Sequence, residues 1–302
     1  MVGRTQIEEV RTATRMFSSW DMLYGGGMAK EAAAAQLRYY AKLLHVRCPD
    51  KLHGELYSAV GDLGNLAAFM AFDVYAHEDV QRLHRFALGC AEQAGDWGLR
   101  AAVLADMARH ALWRGDAESS LTYIEFAQVR SDRLTAAQRA VLASLRATAL
   151  ARLGRAEDAA RAVGEADEEF SRANAANEVY VRYYDAAEHV GATGHALSAL
   201  AVNGRFVSEA AARLSAAISS HENGAVRSRA LCQVRLASLT MVTGDPIEAA
   251  TTGAKALDSA GTIRSRRMAD ELRTLDRAAQ THAAIPEVAD LRHRMGSVMS
   301  AT

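Results

Sequence analysis

Histidine and cysteine side chains are the first candidates for chemistry in this sequence, because both residue types bind metal ions. His45, Cys48 and His53 lie close together, and His77 and His84 are seven residues apart. Neither group has the spacing of a zinc site, since the chain has no paired Cys-x-x-Cys and no His-Glu-x-x-His. We therefore expect no metal site and interpret both groups as surface or helix-end histidines.

Signatures of catalysis are also missing. The sequence has no Gly-x-Ser-x-Gly nucleophile elbow and no phosphate-binding P-loop. The triplet Gly25-Gly26-Gly27 follows a predicted helix and not a strand, so it does not match a dinucleotide-binding fingerprint. It predicts a flexible break at which the chain reverses. We therefore expect neither an enzyme nor a cofactor. The less favoured alternative, an enzyme built on helical repeats, would need a deep pocket of ionisable groups with perturbed pKa values.

Aromatic, arginine and amide side chains recur on the predicted helices that would line the inner side of a stacked array. Guanidinium and amide groups bind carboxylates and peptide backbones, and aromatic rings supply contact area. We therefore predict a groove for a peptide or a polar small molecule. Its candidate residues are Asn65, Phe69, Asp106, Arg109, His110, Trp113, Arg146, Tyr180, Tyr184, His189 and Arg235. The alternative interpretation is that the aromatic side chains form core between repeats and the charged ones are solvated.

Two clusters of arginine could contact nucleic acid. They consist of Arg227, Arg229 and Arg235, and of Arg264, Arg266 and Arg267. The formal net charge of −1 argues against a protein that binds nucleic acid through bulk electrostatics. We interpret the second cluster as a solvated helix start, partly offset by Asp270 and Glu271, and expect no direct contact with nucleic acid.

The elements that would position all these side chains are helices. About one residue in five is alanine, and only 3 of the 302 residues are proline. Helical runs of apolar residues end at Gly115, Gly154, Gly204 and Gly244, which are 39, 50 and 40 residues apart. Glycine suits the end of a helix because the residue there adopts a positive φ. A repeat of this length predicts an all-α, tetratricopeptide-like, right-handed solenoid of about five antiparallel helix pairs.

We expect one continuous domain over residues 1–302. Residues 1–50 would form N-terminal capping helices around the glycine triplet, residues 51–260 the helical repeats, and residues 261–302 the C-terminal capping helices. The longest interval between turn glycines contains Tyr180, Tyr183 and Tyr184. An extra stretch of this kind indicates an inserted loop or a unit that contacts a ligand.

Cysteine usage and hydropathy bear on the compartment. The 3 cysteines are far apart, which is not the pattern of a disulfide framework. The N-terminal run MVGRTQIEEVRTATRMF is charged and has no apolar core of a secretory signal. The longest weakly charged stretch, Leu63–Tyr75, is too short for a membrane span of about 20 residues. We expect a soluble cytoplasmic protein with no membrane partner.

The run VRTATRMFSSWDMLYGGGMAKEAAAAQLRYYAKLL resembles the segment after the DNA-binding domain in actinobacterial Cro/repressor-type (XRE family) transcriptional regulators. In that family a helix ends in Asp-x-x-(Tyr/His)-Gly-Gly-Gly, and Asp21 to Gly27 match this pattern. The stretch LGNLAAFMAFDVYAHEDVQRLHRFALGCAEQAGDWGLRAAVLADMARHALWRGD resembles the repeats that follow, so the resemblance covers most of Val10–Gly253. The residues before Val10 are too few for a helix-turn-helix domain of about 60 residues.

The resemblance implies the sensor or protein-binding region of a transcriptional regulator, without DNA binding by this chain. It also implies a homodimer, because regulators of palindromic sites need two-fold symmetry. Occupancy of the groove would favour one curvature of the helical array and change the pairing of subunits. A stand-alone scaffold for a protein partner is the alternative. For a binding groove, we expect Arg109→Ala or Arg146→Ala to weaken binding and to leave the fold nearly intact.

Overall fold

The computed structural model describes residues 1–174, 179–181, 183–221, 225–260 and 265–300. Within these residues the chain is all-α and forms fourteen α-helices. They are α1 (Arg4–Tyr24), α2 (Gly26–Ala41), α3 (Asp50–Asp73), α4 (His77–Ala94), α5 (Trp97–Trp113), α6 (Ala117–Gln128), α7 (Ala136–Arg152), α8 (Ala156–Ser171), α9 (Ala186–Ala201), α10 (Val207–Ser220), α11 (Val226–Thr243), α12 (Pro246–Ala260), α13 (Arg266–Ala279) and α14 (Pro286–Ser300). No described helix combines the length and the hydropathy that a membrane span requires.

Consecutive helices pack largely as antiparallel pairs. The most extensive contacts join α3 with α4, α7 with α8, α9 with α10, and α11 with α12. Each odd-numbered helix from α1 to α11 also contacts the next odd-numbered helix, so the odd-numbered helices form an inner layer. The even-numbered helices pack outside them. This arrangement is consistent with a helical repeat and confirms the all-α class and the sequential pairing that the turn glycines predicted.

Small side chains allow the two helices of a pair to approach closely. Five residues after three of the turn glycines lie Ser120, Ala159 and Ala249, and each of these residues is completely buried. The second helix of the pair therefore meets the first with no bulky side chain between them near the turn. A larger side chain would have to displace the neighbouring helix, because protein interiors leave no space for extra methylene groups.

Glycine ends the helices in two different ways. Gly95, Gly115, Gly154 and Gly204 have positive φ angles of 65°, 82°, 74° and 81°, as expected for the residue that ends a helix. Gly244 differs from this expectation, since its φ is −137°. Pro246 begins α12 two residues later, and a proline restricts the residue before it, here Asp245, to extended conformations. The chain therefore leaves α11 through an extended turn.

The break that we predicted at the glycine triplet is the junction between α1 and α2. Only Gly25 lies between α1 and α2, with a φ of 79°, and α2 already begins at Gly26. A Cβ atom at Gly26 would lie 2.8 Å from the backbone of Met70. The Gly26 N–H donates to Asp73 Oδ2 at 2.8 Å. Glycine is needed here because α2 begins in contact with the backbone of α3.

The two ends of the helical array meet. Arg227 of α11 pairs with Asp21 of α1 at 2.9 Å and with Asp73 of α3 at 3.3 Å. Arg267, at the start of α13, pairs with the same Asp73 at 2.5 Å. We call these four residues the clasp. Because the clasp joins α1 and α3 to α11 and α13, the ends of the inner layer are in contact, and the space inside it is partly enclosed where the sequence suggested an open groove.

The segment between α8 and α9 reaches the inner side of the array. Residues 175–178 and 182 of this long interval lie outside the described residues. The Tyr180 hydroxyl donates to Asp96 Oδ2, and Asp96 also accepts from the Leu99 N–H as the N-cap of α5. The Tyr180 ring packs against Gly98, where an added Cβ would lie 3.3 Å from the ring. The segment is thereby attached to the start of α5.

Candidate functional site

The inner layer surrounds a cavity of about 260 Å³, which we call the central cavity. Its wall consists of side chains from odd-numbered helices and from the segment that joins α8 to α9. Among the described residues, none from an even-numbered helix belongs to this wall. The division follows from the pairing, because the second helix of each pair packs on the outside of the first.

Eight of the eleven predicted binding residues line the central cavity. They come from α3, α5, α11 and the segment between α8 and α9, which are far apart in sequence. They are Asn65, Phe69, Asp106, Arg109, Trp113, Tyr180, Tyr184 and Arg235. Six of them lie on the first helix of a pair, where we predicted the inner surface, and the two tyrosines lie on the segment between α8 and α9.

The other three predicted residues, His110, Arg146 and His189, lie outside the cavity wall. His110 Nε2 lies 3.0 Å from His77 Nδ1, on a different side of α5 from Arg109. Arg146 pairs with a glutamate of α8, and His189 lies 2.7 Å from an aspartate of that same helix. Neighbouring positions on a helix point about 100° apart, so the correct helix does not ensure the correct face.

Three guanidinium groups surround one aromatic ring in the cavity wall. The guanidinium carbons of Arg109 and Arg227 each lie 5.9 Å from the centre of the Phe69 ring, and that of Arg267 lies 4.6 Å away. A cation near the face of an aromatic ring is stabilised by the ring's quadrupole. Phe69 therefore helps to gather three positive charges from α5, α11 and α13 in one part of the cavity.

Carboxylates balance these charges. Asp106 pairs with Arg109 and accepts a hydrogen bond from Asn65 Nδ2 at 2.8 Å. The Arg109 guanidinium also donates to the Tyr183 hydroxyl at 3.1 Å. Burial raises the pKa of Asp106, although Arg109 and Asn65 act in the opposite direction. The cavity thus contains an acidic group whose ionised form is poorly solvated.

The clasp forms one end of the same cavity, since Asp21, Arg227 and Arg267 line it. Burial by itself would raise the pKa of Asp73, but the charges of Arg267 and Arg227 and the Gly26 N–H lower it. Asp73 is therefore ionised at neutral pH and holds both arginines in place. A ligand in the central cavity would touch the groups that join the two ends of the array.

Several buried polar atoms of the cavity wall have no hydrogen-bond partner among the described residues. They are Asp21 Oδ1, Asn65 Oδ1, Arg267 Nη2 and His195 Nδ1. The residues Asp21, Asn65 and Arg267 are all more than nine-tenths buried. Leaving a buried polar atom unpaired costs about 1–3 kcal/mol, so such atoms indicate a water molecule or a ligand. The first three offer two acceptors and one donor.

The sequence prediction missed several residues of the wall. We interpreted Arg227 and Arg267 only as members of basic clusters, and the solvated helix start was wrong for Arg267, which is 7% exposed. Its carboxylate partner, Asp73, comes from the other end of the chain, so no local pattern could show the pairing. Arg264 of the same cluster lies outside the described residues. Glu188, which accepts a hydrogen bond from Ser228 across the cavity, was also missed.

Metal-binding side chains do not converge in the part of the chain that the structure describes, where no group of three or more is placed to hold an ion. His77 and His110 are adjacent, and burial lowers the pKa of both rings, that of His110 to about 4. The two rings are therefore neutral at pH 7 and hydrogen-bond to each other as part of the packing between α4 and α5.

Comparison with known proteins does not identify this chain. No protein-family model matches the sequence, and no curated protein matches it. The resemblance to Cro/repressor-type regulators therefore stays a hypothesis. The established description is an all-helical protein whose helices pack in sequential pairs.

Proposed function

We propose that this protein is a binding module that holds a small polar molecule in the central cavity and does not change it covalently. The observation that supports this proposal is the set of buried, unpaired atoms of Asp21, Asn65 and Arg267 in the cavity wall. Natural proteins rarely leave such atoms unsatisfied without a ligand or a bound water. A cavity of about 260 Å³ suits a small organic molecule or a short piece of peptide.

The clasp supplies a mechanism by which binding could act at a distance. Asp21, Arg227 and Arg267 line the cavity and also join α1 to α11 and α3 to α13. A ligand that pairs with these groups would stabilise the closed arrangement of the array relative to an open one. It shifts that equilibrium only by its difference in affinity for the two arrangements.

This mechanism fits the sensor region of a transcriptional regulator, which is the role that the sequence resemblance implies. We accordingly propose that the helices form a tetratricopeptide-like, right-handed solenoid and that the protein is a homodimer. We also propose that this chain does not contact nucleic acid directly. A change at the clasp would alter the surface that the terminal helices present to a second subunit.

Thermal unfolding in the presence of metabolites and short peptides tests the binding proposal. A compound at one hundred times its dissociation constant should stabilise the protein by about 2.7 kcal/mol. Ala192→Phe, which places a ring into the cavity wall, should remove the shift. Ala186→Phe, at an exposed position of the same helix, should leave it unchanged.

Two other functions predict different results. A scaffold would show no shift with any compound and would form a stable complex with a protein partner. The observation that supports an enzyme instead is the presence of groups with perturbed pKa values in the cavity. Burial raises the pKa of Asp106 and lowers that of His195. Mass spectrometry of the bound compound after incubation separates enzyme from binding module, because only an enzyme would return a changed molecule.

A further inference from the structure

A second space adjoins the central cavity. This outer chamber, of about 510 Å³, is formed mainly by α9, α11 and α13. Five residues line both spaces and separate one from the other: Trp113, Thr148, Arg152, His195 and Arg235. We call them the dividing wall. A molecule that enters through the outer chamber must pass these side chains before it reaches the central cavity.

The outer chamber is positively charged. Its lining contains four arginines, Arg152, Arg235, Arg273 and Arg277, but only two carboxylates. The two carboxylates are already paired, since Arg235 binds Glu271 at 2.9 Å and Arg273 pairs with Asp270. A formal excess of two positive charges therefore remains. A concave surface with charge of one sign attracts small ions of the opposite sign.

Arg152 carries much of this excess at the dividing wall. It is the last residue of α7, and its guanidinium donates to the backbone oxygen of Leu112. No carboxylate forms an ion pair with it in the described part of the chain. Arg152 is exposed and lines both spaces. The guanidinium has five N–H donors, and the Leu112 backbone oxygen is the one acceptor that the described residues give it.

His195 lies in the same wall and has a buried ring nitrogen, Nδ1, without a partner among the described residues. Burial, together with the charges of Arg235 and Arg152, lowers the pKa of His195 well below its usual value. The ring is therefore neutral at pH 7, and one of its two nitrogens carries a proton. Whichever nitrogen carries the proton, the neutral ring supplies one N–H donor to the dividing wall, near the charge of Arg152.

We infer that the dividing wall is an anion-binding subsite, at which Arg152 and His195 bind a carboxylate or phosphate group of the ligand. Arg235 is neutralised by Glu271 and shapes the wall, whereas Arg152 supplies the unpaired charge. The inference rests on the proposed function and narrows it: the ligand of the central cavity is a small organic anion. Planar guanidinium groups match carboxylate and phosphate oxygens through paired hydrogen bonds.

Titration calorimetry with inorganic phosphate and with succinate tests the subsite in its simplest form and distinguishes the two kinds of anion. We expect at least one of them to bind the wild-type chain. Arg152→Gln should weaken that binding about tenfold or more, because a hydrogen bond to a charged group contributes about 1.5–3 kcal/mol. Arg146→Gln is the matched control, since it removes an arginine of the same helix that does not line either space.

Two further variants, Arg152→Lys and His195→Phe, test the same wall. Arg152→Lys retains the charge and should bind the anion better than Arg152→Gln. Circular dichroism shows whether Arg152→Gln folds. If it does not, Arg152→Lys and His195→Phe are compared with wild type instead. Both variants should then bind the anion more weakly than wild type.

The outcomes separate this inference from the proposed function. Failure of both anions to bind, or equal affinity of wild type and Arg152→Gln, overturns the anion subsite. If neutral compounds nevertheless stabilise the protein and Ala192→Phe removes that effect, the binding module survives without the subsite. If no compound of any charge binds, the proposed function fails as well.

Discussion

Individual ion pairs of this protein should differ widely in their contribution to the free energy of unfolding, because their burial differs. Asp106 and Arg109 have side chains that are 14% and 22% exposed, whereas Arg146 and Glu165 are 31% and 47% exposed. Removing one partner of a buried pair leaves a charge that neither water nor protein solvates. An exposed pair loses little, because water takes the place of the missing partner.

Arg109→Ala should therefore destabilise the protein by about 3 kcal/mol, because the Asp106 carboxylate would keep only its hydrogen bond with Asn65. This replaces the expectation from sequence that the fold stays nearly intact. Arg146→Ala should cost less than about 1 kcal/mol. Urea denaturation of both variants gives the two free energies of unfolding, and equal losses would contradict the assignment of Arg109 to a buried network.

At the scale of the single helix, replacing glycine by alanine should have opposite effects on stability at the end of a helix and in its middle. Gly154 ends α7 with a φ of 74°, a conformation that other residues adopt at a cost. Gly164 lies within α8 at an exposed position, and an added Cβ would meet no atom within 4 Å. Replacing each of these glycines by alanine therefore tests whether α7 ends at Gly154 and whether α8 runs through Gly164.

Gly164→Ala should stabilise the protein by about 0.5–1 kcal/mol, because alanine loses less conformational freedom than glycine inside a helix. Gly154→Ala should destabilise it by about 1 kcal/mol, because the left-handed conformation strains an L-residue. Thermal unfolding of the two variants measures both changes. A stabilising effect at Gly154 would show that α7 continues past the turn.

For the whole molecule, the clasp is the set of ion pairs that joins the two ends of the helical array. Asp73 is completely buried and accepts from Arg227, Arg267, Ser265 and the backbone of Gly26. It therefore connects α3 to the start of α2, to α11 and to the start of α13. The loss of this one carboxylate should loosen the contact between the two ends of the chain.

Asp73→Asn should destabilise the protein by about 3 kcal/mol at pH 7, because two buried arginines lose their shared counter-charge. The folded-state pKa of Asp73 lies below its ordinary value of 3.8, so the ionised carboxyl stabilises the fold above that pH. This contribution is lost as the pH falls through the lowered pKa.

Urea denaturation of wild type and Asp73→Asn between pH 7 and pH 3 measures the effect. The difference between the two proteins should be constant above pH 3.8 and should narrow below it. Asp290→Asn is the control, since Asp290 is exposed, and it should change stability by less than about 0.5 kcal/mol. A difference that grows on acidification would contradict the role of the ionised Asp73.

Much of the fold follows from the sequence alone. The turn glycines, the alanine content and the helical spacing of apolar residues predicted an all-α chain of sequential helix pairs, since these signals act between residues near each other. Six of the eight predicted residues that line the cavity share this origin, because they lie on the first helix of a pair, whereas Tyr180 and Tyr184 lie in the segment between α8 and α9. His110, Arg146 and His189 were misplaced, since helix identity is clearer from sequence than helix face.

Only the tertiary structure decided that the two ends of the inner layer meet and where the charges of the inner surface lie. Asp73 and Arg267 are nearly 200 residues apart, and a short-range pattern carries no information about their ion pair. The closure depends on the sum of small angles between successive helices, which no single repeat determines. Arg152 and His195 meet for a more local reason, since α7 and α9 pack directly on each other, but this contact also forms only in the folded chain.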